Sequence, residues 1–242
     1  MMYRKPVALW AVPRSVSTAL ERVFVERGDF KVFHEPFSAS YYYSPERRSE
    51  RYAATEAKEE FRQEKILERM LEVEEKPVYF KDMAYHVAGF MSGEFVSGFT
   101  NTFIIREPTP VIASLNRFWP DFTLEETGYE EQYRLFGLAV ENGEDPTVLD
   151  AADLTADPEG TIRAYCEKLD VEFMPEALSW EPGEVPGWEM WTGWHEEAQE
   201  STGIKSQPLE DDTEVPAGLE SVYEHCLPYY EALHKRRLRP AA

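Results

Sequence analysis

No glycine occurs among the first 27 residues, although an apolar run, PVALWAV at 6–12, leads there into a helix-like pattern. A phosphate loop of the form GxxxxGK[ST] needs glycines and a Lys-Ser or Lys-Thr pair at such a junction. Neither stands there, which disfavours an ordinary ATPase, GTPase or kinase of that type. Cysteine is equally scarce. Cys166 and Cys226 lie far apart and form no CxxC pair, so neither a disulfide framework nor a zinc site is expected. The five histidines are scattered at 34, 86, 195, 225 and 234 without an HxxxH pair, and no metal is expected. Basic residues are few, 25 against 46 acidic, which leaves a formal net charge of −21. Such a field repels nucleic acid and anionic membranes, so neither is an expected partner. Any anion site must be a local pocket of a few arginines and backbone N–H groups. Long apolar runs are also missing. The N-terminal run is broken by Pro13, no later window approaches about 18 uncharged apolar residues, and a soluble, cytoplasmic chain is expected. Self-association is left open.

What is present can build a core: 43% of the 242 residues are hydrophobic and 14% aromatic. That length and composition suit a single domain spanning 1–242. Short apolar strands are predicted at 6–12, 30–34, 77–82, 101–105 and 147–149. Helices are predicted at 15–27, within 44–75 around Phe61, Ile66, Leu67, Met70 and Leu71, and after Pro108. Further helices are predicted at 125–142, at 157–169 with Asp157 as N-cap, and at 217–238. Strands alternating with helices argue for an α/β fold with a mostly parallel central sheet flanked by helices, whose ligands bind at the carboxyl ends of the strands. From 179 to 216 the pattern breaks into a Trp-, Gly- and Pro-rich stretch, expected to be an irregular cover.

Pro13-Arg14-Ser15-Val16-Ser17-Thr18 follows the first strand, where a helix N-terminus offers free N–H donors to phosphate. This stretch resembles the phosphosulfate-binding loop PRSG[ST]T of the sulfotransferases, enzymes that use 3′-phosphoadenosine 5′-phosphosulfate (PAPS). The resemblance implies a P-loop-like sulfotransferase fold. It implies cofactor contacts from Arg14, Ser15, Val16, Ser17, Thr18 and Ala19, with Val16 standing where the family commonly has glycine. FIIREPTPVIASLNRF at 103–118 resembles the family's 3′-phosphate motif. Arg106 and Ser114 stand at the same spacing, and Glu107 replaces the common aspartate. Trp188, Trp191, Trp194 and Ser201-Thr202-Gly203 resemble the late stretch of a sulfotransferase-like branch, some of whose members carry names borrowed from aminotransferases.

The resemblance implies sulfonate transfer from PAPS to a hydroxyl or amine of a small acceptor, releasing PAP and using no metal. The protein then mostly positions groups and offsets charge, and an acceptor hydroxyl needs a base. Glu35, directly after the second strand, is the first candidate. His34 is the second and His86 the third. Pro36 is expected to hold Glu35 extended. Lys81 is a sulfonate contact or an ion-pair partner, and Arg117 could add positive charge near the 3′-phosphate. Tyr41, Tyr42, Tyr43, Phe90, Phe95, Phe99 and the late tryptophans could line an aromatic acceptor pocket or pack the core. A non-catalytic PAP- or nucleotide-binding protein of the same fold, or a kinase-like nucleotide enzyme, remain the other readings.

Overall fold

The computed structural model describes residues 5–189, 192–204 and 214–239. Its sheet, among the described residues, has five strands, all parallel: β1 (Val7–Ala11), β2 (Lys31–His34), β3 (Val78–Met83), β4 (Thr100–Ile105) and β5 (Thr147–Asp150). Their order is β2-β3-β1-β4-β5. Every residue of β1 is buried, which is why PVALWAV is an unbroken apolar run rather than an alternating one.

Helices cover both faces. On one, Leu9, Ala11 and Ile104 pack with Leu20, Val23 and Phe24 of α1 (Ser17–Arg27) and with Ile162 and Tyr165 of α8 (Pro158–Lys168). On the other, Trp10, Phe80 and Phe103 pack with Phe95, Phe99 and with Leu135 and Phe136 of α6 (Tyr129–Glu141). Trp10 is fully buried, meets the edge of Phe80 at 5.3 Å between ring centroids, and donates its Nε1–H to Asn101 Oδ1 at 2.9 Å. Phe95 and Phe99 are therefore core residues.

The elements largely coincide with those expected, with informative shifts. The helix within 44–75 is α3 (Gln63–Leu71), and Phe61 belongs to a preceding 3₁₀ turn. The helix expected at 125–142 is interrupted by Gly128 at φ 78°, which ends a 3₁₀ turn and opens α6. Asp157 caps α8 as expected, accepting from Gly160 N at 3.0 Å. Short helices α2 (Ser38–Tyr43), α4 (Gly93–Ser97) and α7 (Ala151–Ala156) have too few residues to show a helical period. The motif helix α5 is Pro108–Phe118, and the C-terminal helix α10 is Glu220–His234. The covering stretch is more regular than expected. It contains α9 (Thr192–Gln199), and a Ser179–Gly203 bridge closes its described ends. Trp191 and residues 205–213 lie outside the described residues.

Glu131 is buried on α6, and desolvation, only weakly opposed by Arg134, pushes its carboxyl up to about 7. Between the ordinary carboxylate value and about pH 7, the folded chain keeps a proton that the unfolded chain releases. Stability from this residue is therefore full in acid and falls as pH rises through that window. Glu131→Gln is expected to raise stability by roughly 1–2 kcal/mol at pH 8 and by much less at pH 5. Paired thermal melts at the two pH values check this, and an equal gain at both would refute it.

Candidate active site

A cavity of about 700 Å³ opens at the carboxyl ends of the strands, where ligands bind in sheets of this kind. Its walls bring together residues that the sequence scatters: the loop 13–19, Glu35, His86, Arg106, Ser114, Arg117, Thr155 and, from the cover, Trp194, Glu197, Ser201 and Gly203.

The loop after β1 is held in a tight, left-handed path without glycine. Arg14 has φ 57° and Val16 φ 64°, and Val16 is the N-cap of α1. Left-handed backbone at a β-branched residue is strained, and such strain persists only where surrounding structure fixes it. Val16 thus keeps the backbone region glycine favours, so the loop path does not depend on having glycine there. Ser15 Oγ donates to Val12 O at 2.7 Å and is fully buried. Its hydroxyl is a loop brace, and the first N–H groups of α1, at Ser17, Thr18 and Ala19, belong to residues on the cavity wall. The Arg14 guanidinium reaches across to the cover, where it pairs with Glu197 Oε2 at 3.0 Å and donates to Trp194 O at 3.4 Å.

Arg106, just beyond β4, donates to the Arg14 carbonyl and so ties the two motifs together. Glu107 caps α5 by accepting from Thr109 N at 2.8 Å, which explains an acidic residue at that place. One turn and a half along α5, Ser114 is 7% exposed, and its Oγ is buried with no hydrogen-bond partner. Arg117 lines the same wall, 4.9 Å from the Phe118 ring centroid.

The other end is built on β2 and β3. Glu35 does not continue the strand as its place before Pro36 suggests. Its φ is 42°, and its N–H still donates to Lys81 O at 2.7 Å. That left-handed turn lets Glu35 line the cavity and meet Lys81 Nζ at 2.5 Å. Lys81 is fully buried and lies 4.0 Å from Glu21 Oε2 on its other side, so its role is that of an ion-pair partner. His34 stands behind the cavity, its Nδ1 2.8 Å from Glu21 Oε2 and its Nε2 3.7 Å from Glu35 Oε1. Trp188 of the cover is fully buried and donates to Glu21 Oε1 at 2.8 Å.

His86 follows β3 in a 3₁₀ turn. It is 2% exposed, and its Nδ1 lies 2.6 Å from Asp82 Oδ1. Asp82 is fully buried and also accepts from Phe37 N and Met83 N. Desolvation raises its carboxyl while His86 opposes that. His86 Nε2 is buried, has no hydrogen-bond partner and belongs to a residue on the cavity wall. Tyr85, Tyr41 and Tyr42 surround the imidazole, with centroids at 4.4, 5.4 and 5.6 Å.

Of the aromatics predicted for a pocket, Tyr42 and Trp194 line it. Tyr41 packs behind, and Tyr85 and Trp119 join the wall unforeseen. Glu21 and Asp82 were also unforeseen as site residues. Glu21 reads as an ordinary polar position of α1, and only the three-dimensional approach of β2 and Trp188 shows its use. The Ser201-Thr202-Gly203 stretch serves the cover. Trp180 N donates to Thr202 O, and a Cβ at Gly203 would fall 2.8 Å from Leu178 O, so only glycine fits the bridge.

A parallel α/β sheet whose first helix start, second-motif arginine and buried serine converge on one cavity has a P-loop-like architecture. The chain belongs to the sulfotransferase-domain family, whose description matches residues 5–237. It is 29% identical over 227 residues, 93% of its length, to branched-chain-amino-acid aminotransferase-like protein 2 of Arabidopsis thaliana, and 29% identical to protein 1 of that name. The chain spans only 40% of the length of those curated relatives. In fold it is similar to the sulfotransferase domain of the Synechococcus PCC 7002 olefin synthase, with TM-score 0.57, 17% identity, and 97% and 96% of the two chains covered. A sulfotransferase from Alicyclobacillus acidocaldarius gives TM-score 0.54, 14% identity and 97% coverage of both chains.

Proposed function

We propose that the chain transfers a sulfonate group from PAPS to a hydroxyl or amine of a small-molecule acceptor, with PAP as the second product. The observation that carries this reading is the pair Arg106 and Ser114 on the wall of the cavity that α1 opens onto. The Ser114 hydroxyl is buried with no protein partner, and an unpaired buried polar group calls for a ligand. The N–H groups at Ser17, Thr18 and Ala19, with Arg14, suit the 5′-phosphosulfate. Arg106 and Ser114 suit the 3′-phosphate. When bound, PAPS supplies a sulfonate that is already activated for transfer.

The remaining tasks fall to the chain's own side chains. Arg14 offsets negative charge at the loop, and its hold on Glu197 is a partly exposed pair that a stronger anion can displace. His86 is the group best suited to take the acceptor's proton. Asp82 fixes Nδ1 as the N–H side, which leaves Nε2 as the acceptor atom. Glu35, the first candidate from the sequence, is already engaged by Lys81 and is better suited to binding than to proton transfer. A protein that only stored PAP would have no use for an oriented Asp82–His86 dyad.

Titration calorimetry with PAP and AMP tests the reading. PAP is expected to bind at least about 10-fold more tightly, because only PAP carries a 3′-phosphate to accept a charge-assisted bond from Arg106. Equal affinity for the two would refute the assignment.

A further inference from the structure

We infer that the acceptor carries a positive charge, as an ammonium-bearing alcohol or phenol; this rests on the sulfuryl-transfer reading of the cavity. Among the described residues, carboxylates outnumber ammonium groups at the acceptor end. Glu21, Glu35 and Asp82 are buried there at 1%, 7% and 0% exposure. One ammonium, Lys81, and two imidazoles, His34 and His86, are set against these three carboxylates. The arginines of the cavity do not supply the difference. Arg106 is bound to the Arg14 backbone, and Arg14 and Arg117 both lie over the Phe118 ring, so the three form a separate group on the donor side. Of the three carboxylates, only Glu35 lines the cavity, and it is the one a ligand can reach.

The wall between the two ends is aromatic and continuous. Trp194 meets Trp119 at 4.8 Å, Trp119 meets Tyr42 at 6.2 Å, and Tyr42 meets His86 at 5.6 Å. Aromatic faces beside a carboxylate favour a cation, and an anion would face the same carboxylate with repulsion. Trp119 already holds one cation this way: the Arg51 guanidinium sits 4.3 Å from its centroid. The unpartnered Nε2 of His86 marks where the reacting hydroxyl belongs, and Glu35 marks where the ammonium belongs. The acidic character of the whole chain acts in the same sense, raising the local concentration of cations at its surface.

Three probes of one shape separate the possibilities: tyramine, 4-ethylphenol and 3-(4-hydroxyphenyl)propionate. Each is titrated by calorimetry into the full chain, first alone and then with saturating PAP. Tyramine is expected to bind about tenfold or more tightly than 4-ethylphenol, with the propionate weakest. Glu35→Gln is expected to shrink the tyramine advantage to about threefold or less, and the wild-type order stands as the test should that variant fold poorly. A preference for 4-ethylphenol or the propionate, or no detectable tyramine binding, overturns the inference. The PAP titration on the same protein keeps the two readings apart. PAP binding with a reversed probe order sinks only the cationic acceptor, whereas absent PAP binding sinks the donor assignment whatever the probes do.

Discussion

His86→Asn is expected to lower turnover with PAPS and a competent acceptor by about 10²–10⁴-fold, the usual worth of a positioned base, while PAP affinity stays within about threefold. The expectation follows from the dyad. Asp82 accepts two backbone N–H bonds and holds His86 Nδ1, and the ring is boxed by three tyrosines, so Nε2 is fixed in place. Asp82→Asn should reproduce much of the loss without weakening PAP. Its amide can donate to Nδ1 and so leave the proton on Nε2, the wrong tautomer for a base. Glu35→Gln should act mainly on acceptor KM. Rate constants and PAP titrations of the three variants decide the matter. If Glu35→Gln loses turnover by such a factor and His86→Asn does not, the base is Glu35.

Arg106→Ala is expected to weaken PAP binding by about 10- to 100-fold, or roughly 1.5–3 kcal/mol, the range for a charge-assisted bond lost from a buried site. Two effects add here. The guanidinium is removed from the cavity, and the Arg14 carbonyl loses the donor that braces the strained loop. Ser114→Ala removes only a neutral hydroxyl and should cost less. AMP separates the two effects: its affinity should fall little in Ser114→Ala, and in Arg106→Ala only by the share that the loop brace carries. Calorimetry reads all four values, and an Arg106→Ala protein that binds PAP as well as the parent would remove this residue from the site.

The half of the cavity proposed to hold the donor was the more legible part of the sequence. Arg14, Ser17 and Arg106 sit on strand-to-helix junctions whose geometry is local, and Ser114 follows within the helix α5. A junction of that kind can be read from a few consecutive residues. The half proposed for the acceptor depends on packing between distant elements. Glu35 turns left-handed against the preference set by Pro36, because its N–H is held by Lys81 O and its carboxylate by Lys81 Nζ. The sequence leaves Lys81 as a sulfonate contact or an ion-pair partner, and only the approach of β2 and α1 shows that two carboxylates surround it. The Asp82–His86 contact is four residues apart and was open to notice. What was hidden is that both are buried and that Nε2 has no partner. The strand order was equally out of reach, since the pattern of apolar runs gives the strands but not their neighbours.

That order has a consequence for how the chain reaches its native state. β1 lies in the middle of the sheet, with Val7 beside Tyr79 on one flank and Thr100 on the other. During synthesis the VALWA strand emerges well before either neighbour exists, with the full apolar surface it will later bury on both faces. Helix α1 and the adjacent β2 cannot cover it alone, because β2 pairs with β3 and not with β1. Closing these long loops makes folding slow, and the unpaired central strand exposes the nascent chain to aggregation until β4 is available. Yield in cells should therefore depend on chaperone capacity and temperature more steeply than the stability of the finished fold alone would suggest.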